Sequence, residues 1–116
     1  MLSTAHLMLG GALGALLQRR RAAFAAGVVS HHLADCIIHT DTGTYREGPG
    51  DPPGLSAREA LVATADLALG LTLLHLASRR HPQRAPILAG AIAGILPDLI
   101  DNAPGIAPCF RATRFG

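Results

Sequence analysis

Gly27-Val28-Val29-Ser30-His31-His32-Leu33-Ala34-Asp35-Cys36-Ile37-Ile38-His39 is the stretch that decides how this chain folds. It is apolar enough for a buried helix, yet it carries three histidines and a carboxylate. Residues four apart share a helix face, so His31, Asp35 and His39 form one stripe. Ionisable groups on an apolar helix are costly without partners. Those partners must come from other segments, and where they come from sets the architecture.

Working outward, four apolar segments are legible. The first runs from about Ser3 to Leu17, with Ser3 or Thr4 as N-cap and Arg19-Arg20-Arg21 closing it. The second, holding the opening stretch, runs from about Ala22 to His39. The third starts near Ser56, where Ser56-Ala57-Arg58-Glu59 matches a capping box, and continues to Ser78. The fourth runs from Pro86, acceptable in a first helical turn, to Asn102, and Pro97 is expected to kink its end. Between the second and third lies a polar loop with three prolines and four glycines, Thr40 to Ser56. One domain, 1–116, is expected: a hairpin at 3–39, the loop at 40–56, a hairpin at 57–102 and an irregular tail at 103–116.

The composition says where such helices belong. Of 116 residues 49% are hydrophobic but only 3% aromatic, and the mean hydropathy is +0.32. A soluble domain of this size needs a larger polar surface. Abundant Ala, Leu and Gly suit closely packed membrane helices. Cys36 and Cys109 stand in no metal or redox spacing, so no disulfide framework is indicated, and Cys36 reads as a small buried apolar residue. The first apolar run has no basic region before it, which argues against a cleaved signal peptide. All the positive charge is arginine, without the aromatic platforms or recognition helix of a nucleic-acid binder, so nucleic acid is not an expected partner.

Arginine also sets the topology. The tight connections after the first and third segments are rich in it, whereas the long loop holds Asp41, Glu47 and Asp51 against Arg46 alone. That alternation is what the positive-inside rule gives for four spans in a cell membrane, both termini on the non-cytoplasmic side. Arg111 and Arg114 in the tail run against it. The expectation is an all-α, four-helix transmembrane bundle with the lipid bilayer as its partner; a soluble helical bundle is the alternative. Glycine-lined faces left to be covered would allow a homo-oligomer.

The two hairpins resemble each other. Ala5-His6-Leu7-Met8-Leu9-Gly10 lies over Ala65-Asp66-Leu67-Ala68-Leu69-Gly70, and Ala26-Gly27 through Asp35 over Ala89-Gly90 through Asp98. His6 then matches Asp66, Gly27 matches Gly90 and Asp35 matches Asp98. An internal repeat of this kind predicts two copies related by an axis along the membrane normal.

Topology places His6, Asp35, His39, Asp98 and Asp101 at one end of the bundle, with Asp66 and His31 slightly deeper. Imidazoles and carboxylates together suit a divalent metal, zinc first, with manganese or iron as alternatives. The expected ligands are His6, His31, Asp35, His39 and Asp98. His31 is preferred to His32 because it is in phase with Asp35. A metal there would activate water for ester or phosphoester hydrolysis, with Asp66 or Asp101 as general base. The bland readings are a helix-start role for His6, ion pairing for Asp35 and Asp98, and helix termination by Asp101-Asn102. Gly10, Gly14, Gly27, Gly90 and Gly94 read as close-packing positions rather than as a phosphate site.

At these residues the chain resembles a membrane-bound, predicted metal-dependent hydrolase family of bacteria. Thr4-Ala5-His6-Leu7-Met8-Leu9-Gly10, Ser30-His31-His32-Leu33-Ala34-Asp35 and Gly94-Ile95-Leu96-Pro97-Asp98-Leu99-Ile100-Asp101 are similar to its THxxxG, SHxxxD and LPD segments. The order of the blocks looks like a small branch of that family. The resemblance implies short apolar membrane helices and metal-dependent hydrolysis, with His6, His31, Asp35, His39, Asp98 and Asp101 as matching positions. A HRGxTHS-like segment of the family has no counterpart here, and Ile38-His39-Thr40-Asp41 lacks the family's proline. The function expected is thus a membrane-embedded metal-dependent hydrolase of a phosphoester or lipid-like substrate. The alternative is a non-catalytic membrane protein, an ion or proton conduit or a structural subunit, whose His/Asp cluster pairs helices.

Overall fold

A computed structural model describes residues 3–37 and 56–101. Among them the chain is all-helical, with α1 (Ser3–Leu17), α2 (Arg20–Asp35), α3 (Ala57–Ser78) and α4 (Arg84–Asp101) and no strand.

Local chemistry explains the ends. The Gln18 amide bonds the Gly14 carbonyl at 3.1 Å, and Gln18 takes a left-handed φ of 56°. The chain reverses there within two residues, so α2 begins at Arg20 rather than at Ala22. At its other end α2 closes on Asp35. Cys36 and Ile37 donate their amides to the Leu33 and Ala34 carbonyls at 3.3 and 3.0 Å, tightening the last turn. The expected continuation to His39 falls outside the described residues. At the start of α3 the capping box forms: Ser56 Oγ accepts the Glu59 amide at 3.2 Å, and Glu59 Oε2 accepts the Ser56 amide at 3.0 Å. Helix α4 starts at Arg84, with Pro86 in its first turn, where no intrahelical amide is required.

Glycine decides the packing. A Cβ on Gly10 would collide with the Gly90 carbonyl, one on Gly14 with that of Pro86, and one on Gly94 would lie 2.6 Å from the His6 carbonyl oxygen. The pairs run Gly14–Pro86, Gly10–Gly90, His6–Gly94, so α1 lies antiparallel to α4, backbone against backbone. Gly27 meets the same Gly90 carbonyl from α2, and His31 reaches Gly94. Helices α2 and α4 are therefore parallel neighbours at a constant offset, with α1 packed against both. Leu7, Leu74, Ile87, Ala91 and Ile95 form the buried apolar core.

Helix α3 lies outside this trio. It runs alongside α1, crossing closely at Gly70, where a Cβ would lie 2.7 Å from Leu7 Cδ1 and 2.9 Å from Thr4 Cα. It barely meets α4 and does not touch α2. This corrects the expected symmetry. A twofold axis relating the hairpins would turn the α1–α4 contact into an α3–α2 contact, and none exists. The repeat does locate true neighbours, since Gly27 and Gly90, and Asp35 and Asp98, meet across parallel helices.

Only α3 among the described helices is long and apolar enough to cross a membrane. Its 22 residues rise about 33 Å, against a hydrocarbon core of roughly 30 Å. Helix α1 is apolar but has 15 residues, which reach about 22 Å.

Candidate metal centre

Three helices bring four ionisable side chains to one end of the trio. His6 comes from the first turn of α1, His31 and Asp35 from successive turns of α2, and Asp98 from the end of α4. The imidazoles are buried, at 1% and 4% exposure, with ring centroids 4.3 Å apart. Both carboxylates are about a third open to solvent, so the group faces outward on its acid side.

The carboxylates straddle the rings. Asp35 places Oδ1 3.3 Å from His6 Nε2 and Oδ2 3.0 Å from His31 Nε2. Asp98 places Oδ2 3.9 Å from His6 Nε2 and Oδ1 3.7 Å from His31 Nε2. His31 Nδ1 lies 2.9 Å from the Gly94 carbonyl oxygen. An oxygen can only accept, so the Nδ1 proton is on that side. In the neutral ring Nε2 then carries a lone pair aimed at two carboxylates. Such an arrangement needs a cation between nitrogen and oxygen, either a proton or a metal.

A single proton on His31 would meet the need at that ring through the 3.0 Å pair with Asp35, and the charge and spacing of the group also suit a metal. Protonating both rings would stack two buried imidazoliums, a repulsion of about 4 kcal/mol at an effective dielectric of 20. One divalent ion balances two carboxylates with both rings neutral. First-row ions hold His nitrogen and carboxylate oxygen at about 2.1 Å, so neighbouring tetrahedral ligands sit about 3.4 Å apart. The four nitrogen–oxygen distances, 3.0 to 3.9 Å, bracket that value. His6, His31 and Asp98 can each offer one ligand atom within 4.8 Å of the others. His6 adds a separate mark: its Nδ1 is buried with no hydrogen-bond partner, and its Nε2 faces only the two carboxylates. Coordination would satisfy Nε2, while the buried Nδ1 stays unsatisfied at a cost of about 1–3 kcal/mol. The His31–Gly94 bond is the kind of outer contact that fixes tautomer and ring orientation for a metal ligand.

The remaining candidates are placed differently. Asp66 is not brought to the imidazoles. Its Oδ2 accepts the Thr4 amide at 3.1 Å, and its backbone carbonyl accepts the Thr4 hydroxyl at 2.7 Å. A residue of α3 thus caps α1, satisfying one of the amides at its start that have no partner within the helix. Asp101 lies one turn beyond Asp98 on α4, half-buried. His39 lies outside the described residues. His32 is exposed, as its phase predicts. Cys36 is exposed rather than buried, its thiol donating to the His32 carbonyl at 3.3 Å. Helix α2 ends just before it.

Gly94, whose carbonyl orients His31, was not among the expected site residues. The repeat held the signal, because it sets His31 opposite Gly94. A position without a side chain on a parallel neighbour leaves room for an imidazole ring. Set against family models, curated proteins and solved structures, the chain matches none.

Proposed function

We propose that this protein is a membrane-embedded, metal-dependent hydrolase in which His6, His31, Asp35 and Asp98 hold one divalent ion, zinc first among the alternatives. The observation that carries the proposal is the His31 ring, its Nδ1 proton committed to Gly94 and its Nε2 lone pair facing two carboxylates. The ion would supply Lewis-acid activation of water or of an ester or phosphoester oxygen. The chain's own groups do the rest. The backbone of α4 orients His31, the buried rings shield one side, and the open carboxylate side admits substrate. Asp101, beside Asp98, is the better placed general base, because Asp66 is engaged in capping α1.

The bilayer part of the reading rests on α3. Leu61, Leu69, Leu71, Leu73 and Leu76 are all exposed along it. Thr64 and Thr72 donate their hydroxyls to the carbonyls four residues earlier, at 2.7 and 2.8 Å, so neither hydroxyl needs water.

Metal analysis of detergent-purified protein tests the proposal. One equivalent of zinc or manganese is expected, lost in His31→Ala and Asp98→Ala. Protein that is folded and metal-free would overturn it and leave the cluster as a device that pairs helices. Purification in monomeric form without detergent would overturn the bilayer part separately.

A further inference from the structure

Charge is segregated along the bundle. Among the described residues every acid, Asp35, Glu59, Asp66, Asp98 and Asp101, lies toward the His/Asp end. Arg19, Arg20, Arg21, Arg79, Arg80 and Arg84 gather at the opposite end, and all six are exposed. Close contacts bring these arginines together. Gly14 abuts Pro86, and Gly11 packs on Leu74 and Ile87, so the α1–α2 turn, the first turn of α4 and the end of α3 sit side by side.

Within that end the local chemistry is unfavourable in the isolated chain. Helices α2 and α4 run parallel, so both point positive dipole ends there. Their first turns contain no acid. Arg19, the N-cap of α2, makes no side-chain cap hydrogen bond. Arg20, Arg21 and Arg84 add positive charge where the dipole is already positive. Contrast α3, whose start carries Ser56 and Glu59 in a complete capping box. At α4 His81 takes up the Arg84 and Gln83 amides, at 3.1 and 3.0 Å, so the uncapped start is that of α2, and the positive charge of this end has no acid beside it among the described residues.

An apolar collar adjoins the arginines: Leu16, at 77% exposure, with Leu17, Phe24, Leu73 and Leu76. Cationic side chains above an uncovered apolar ring are suited to the boundary between anionic headgroups and acyl chains. We infer that the arginine end of the bundle, formed by Arg19, Arg20, Arg21, Arg79, Arg80 and Arg84, binds anionic phospholipid headgroups. The inference rests on the bilayer part of the proposed function and is independent of the metal.

The test is thermal unfolding of the full chain in neutral detergent micelles, with phosphatidylglycerol, phosphatidylcholine or inorganic phosphate added. Phosphatidylglycerol should raise Tm and phosphatidylcholine should not. In the R19Q/R20Q/R21Q variant, half-maximal stabilisation should need about a hundredfold more phosphatidylglycerol, from about fivefold per arginine. R79Q/R80Q should shift it about twenty-five-fold by the same arithmetic. R58Q, at the other end of the bundle, should leave it unchanged. Equal effects of the two lipids, an equal shift in R58Q, or stabilisation by inorganic phosphate alone would overturn the inference. Metal content measured on the same samples separates the outcomes. Loss of the lipid effect with metal retained removes only this inference, and a folded metal-free protein that still answers to phosphatidylglycerol removes only the metal centre.

Discussion

His31 gives its Nδ1 proton to the carbonyl of Gly94, 2.9 Å away on a helix parallel to its own. The glycine serves two neighbours at once, because its missing side chain also admits the His6 backbone of α1. Substitution Gly94→Ala sets a methyl 2.6 Å from the His6 carbonyl oxygen and must push α1 away. Stability should fall by about 1–3 kcal/mol in denaturant titration. Metal affinity should fall about 10- to 100-fold in chelator competition, since both imidazoles are displaced. Wild-type affinity in this variant would show that the glycine contact does not position the rings.

Metal should stabilise the fold by binding the native state alone. At a free metal concentration a hundred times Kd the gain is about 2.7 kcal/mol, read as a Tm rise that chelator reverses. His6→Ala, His31→Ala and Asp98→Ala should each abolish the rise. His32→Ala should keep it, because that ring is exposed and out of phase. A rise that survives loss of His31 would place the ion elsewhere.

Asp66 separates capping from catalysis. As the cap of α1, Asp66→Ala should cost about 1 kcal/mol, and Asp66→Asn should recover much of it, because the amide oxygen still accepts the Thr4 N–H. Hydrolytic activity should survive in Asp66→Asn. Its complete loss there, with stability kept, would restore Asp66 as a general base.

Ser56→Ala removes the acceptor for the Glu59 amide and should cost about 1 kcal/mol. The effect should appear as faster hydrogen exchange in the first turn of α3, with metal content unchanged. Equal loss of protection in α1 and α4 would mean that the four helices open as one unit.

Much of this arrangement could be read from residue order. The bounds of α1, the Ser56 capping box and the glycine contacts follow from local rules: an apolar run closed by arginine, a Ser-x-x-Glu start, and small residues where backbones meet. The convergence of His6, His31, Asp35 and Asp98 followed from counting turns and alternating the direction of successive helices. What escaped depended on which helices touch. Sequence similarity makes the two hairpins look equivalent, yet α4 takes its place against α1 and α2 because glycines on all three match in register, and α3 is left on the flank. The role of Asp66 escaped for the same reason. A carboxylate on an apolar helix reads as a candidate base until the neighbouring helix start is found beside it. Among the described residues α2 ends at Asp35, where the backbone tightens although Ile37 continues the apolar pattern.

The four side chains of the cluster are divided unequally between the halves of the polypeptide: three precede the long acidic linker and Asp98 follows it. Severing the chain in that linker would yield two fragments, neither owning a complete set. Fragments expressed separately and then mixed could recreate the cluster only by docking α4 back against its partners. Ion uptake would then serve as a built-in reporter of reassembly, without any added label.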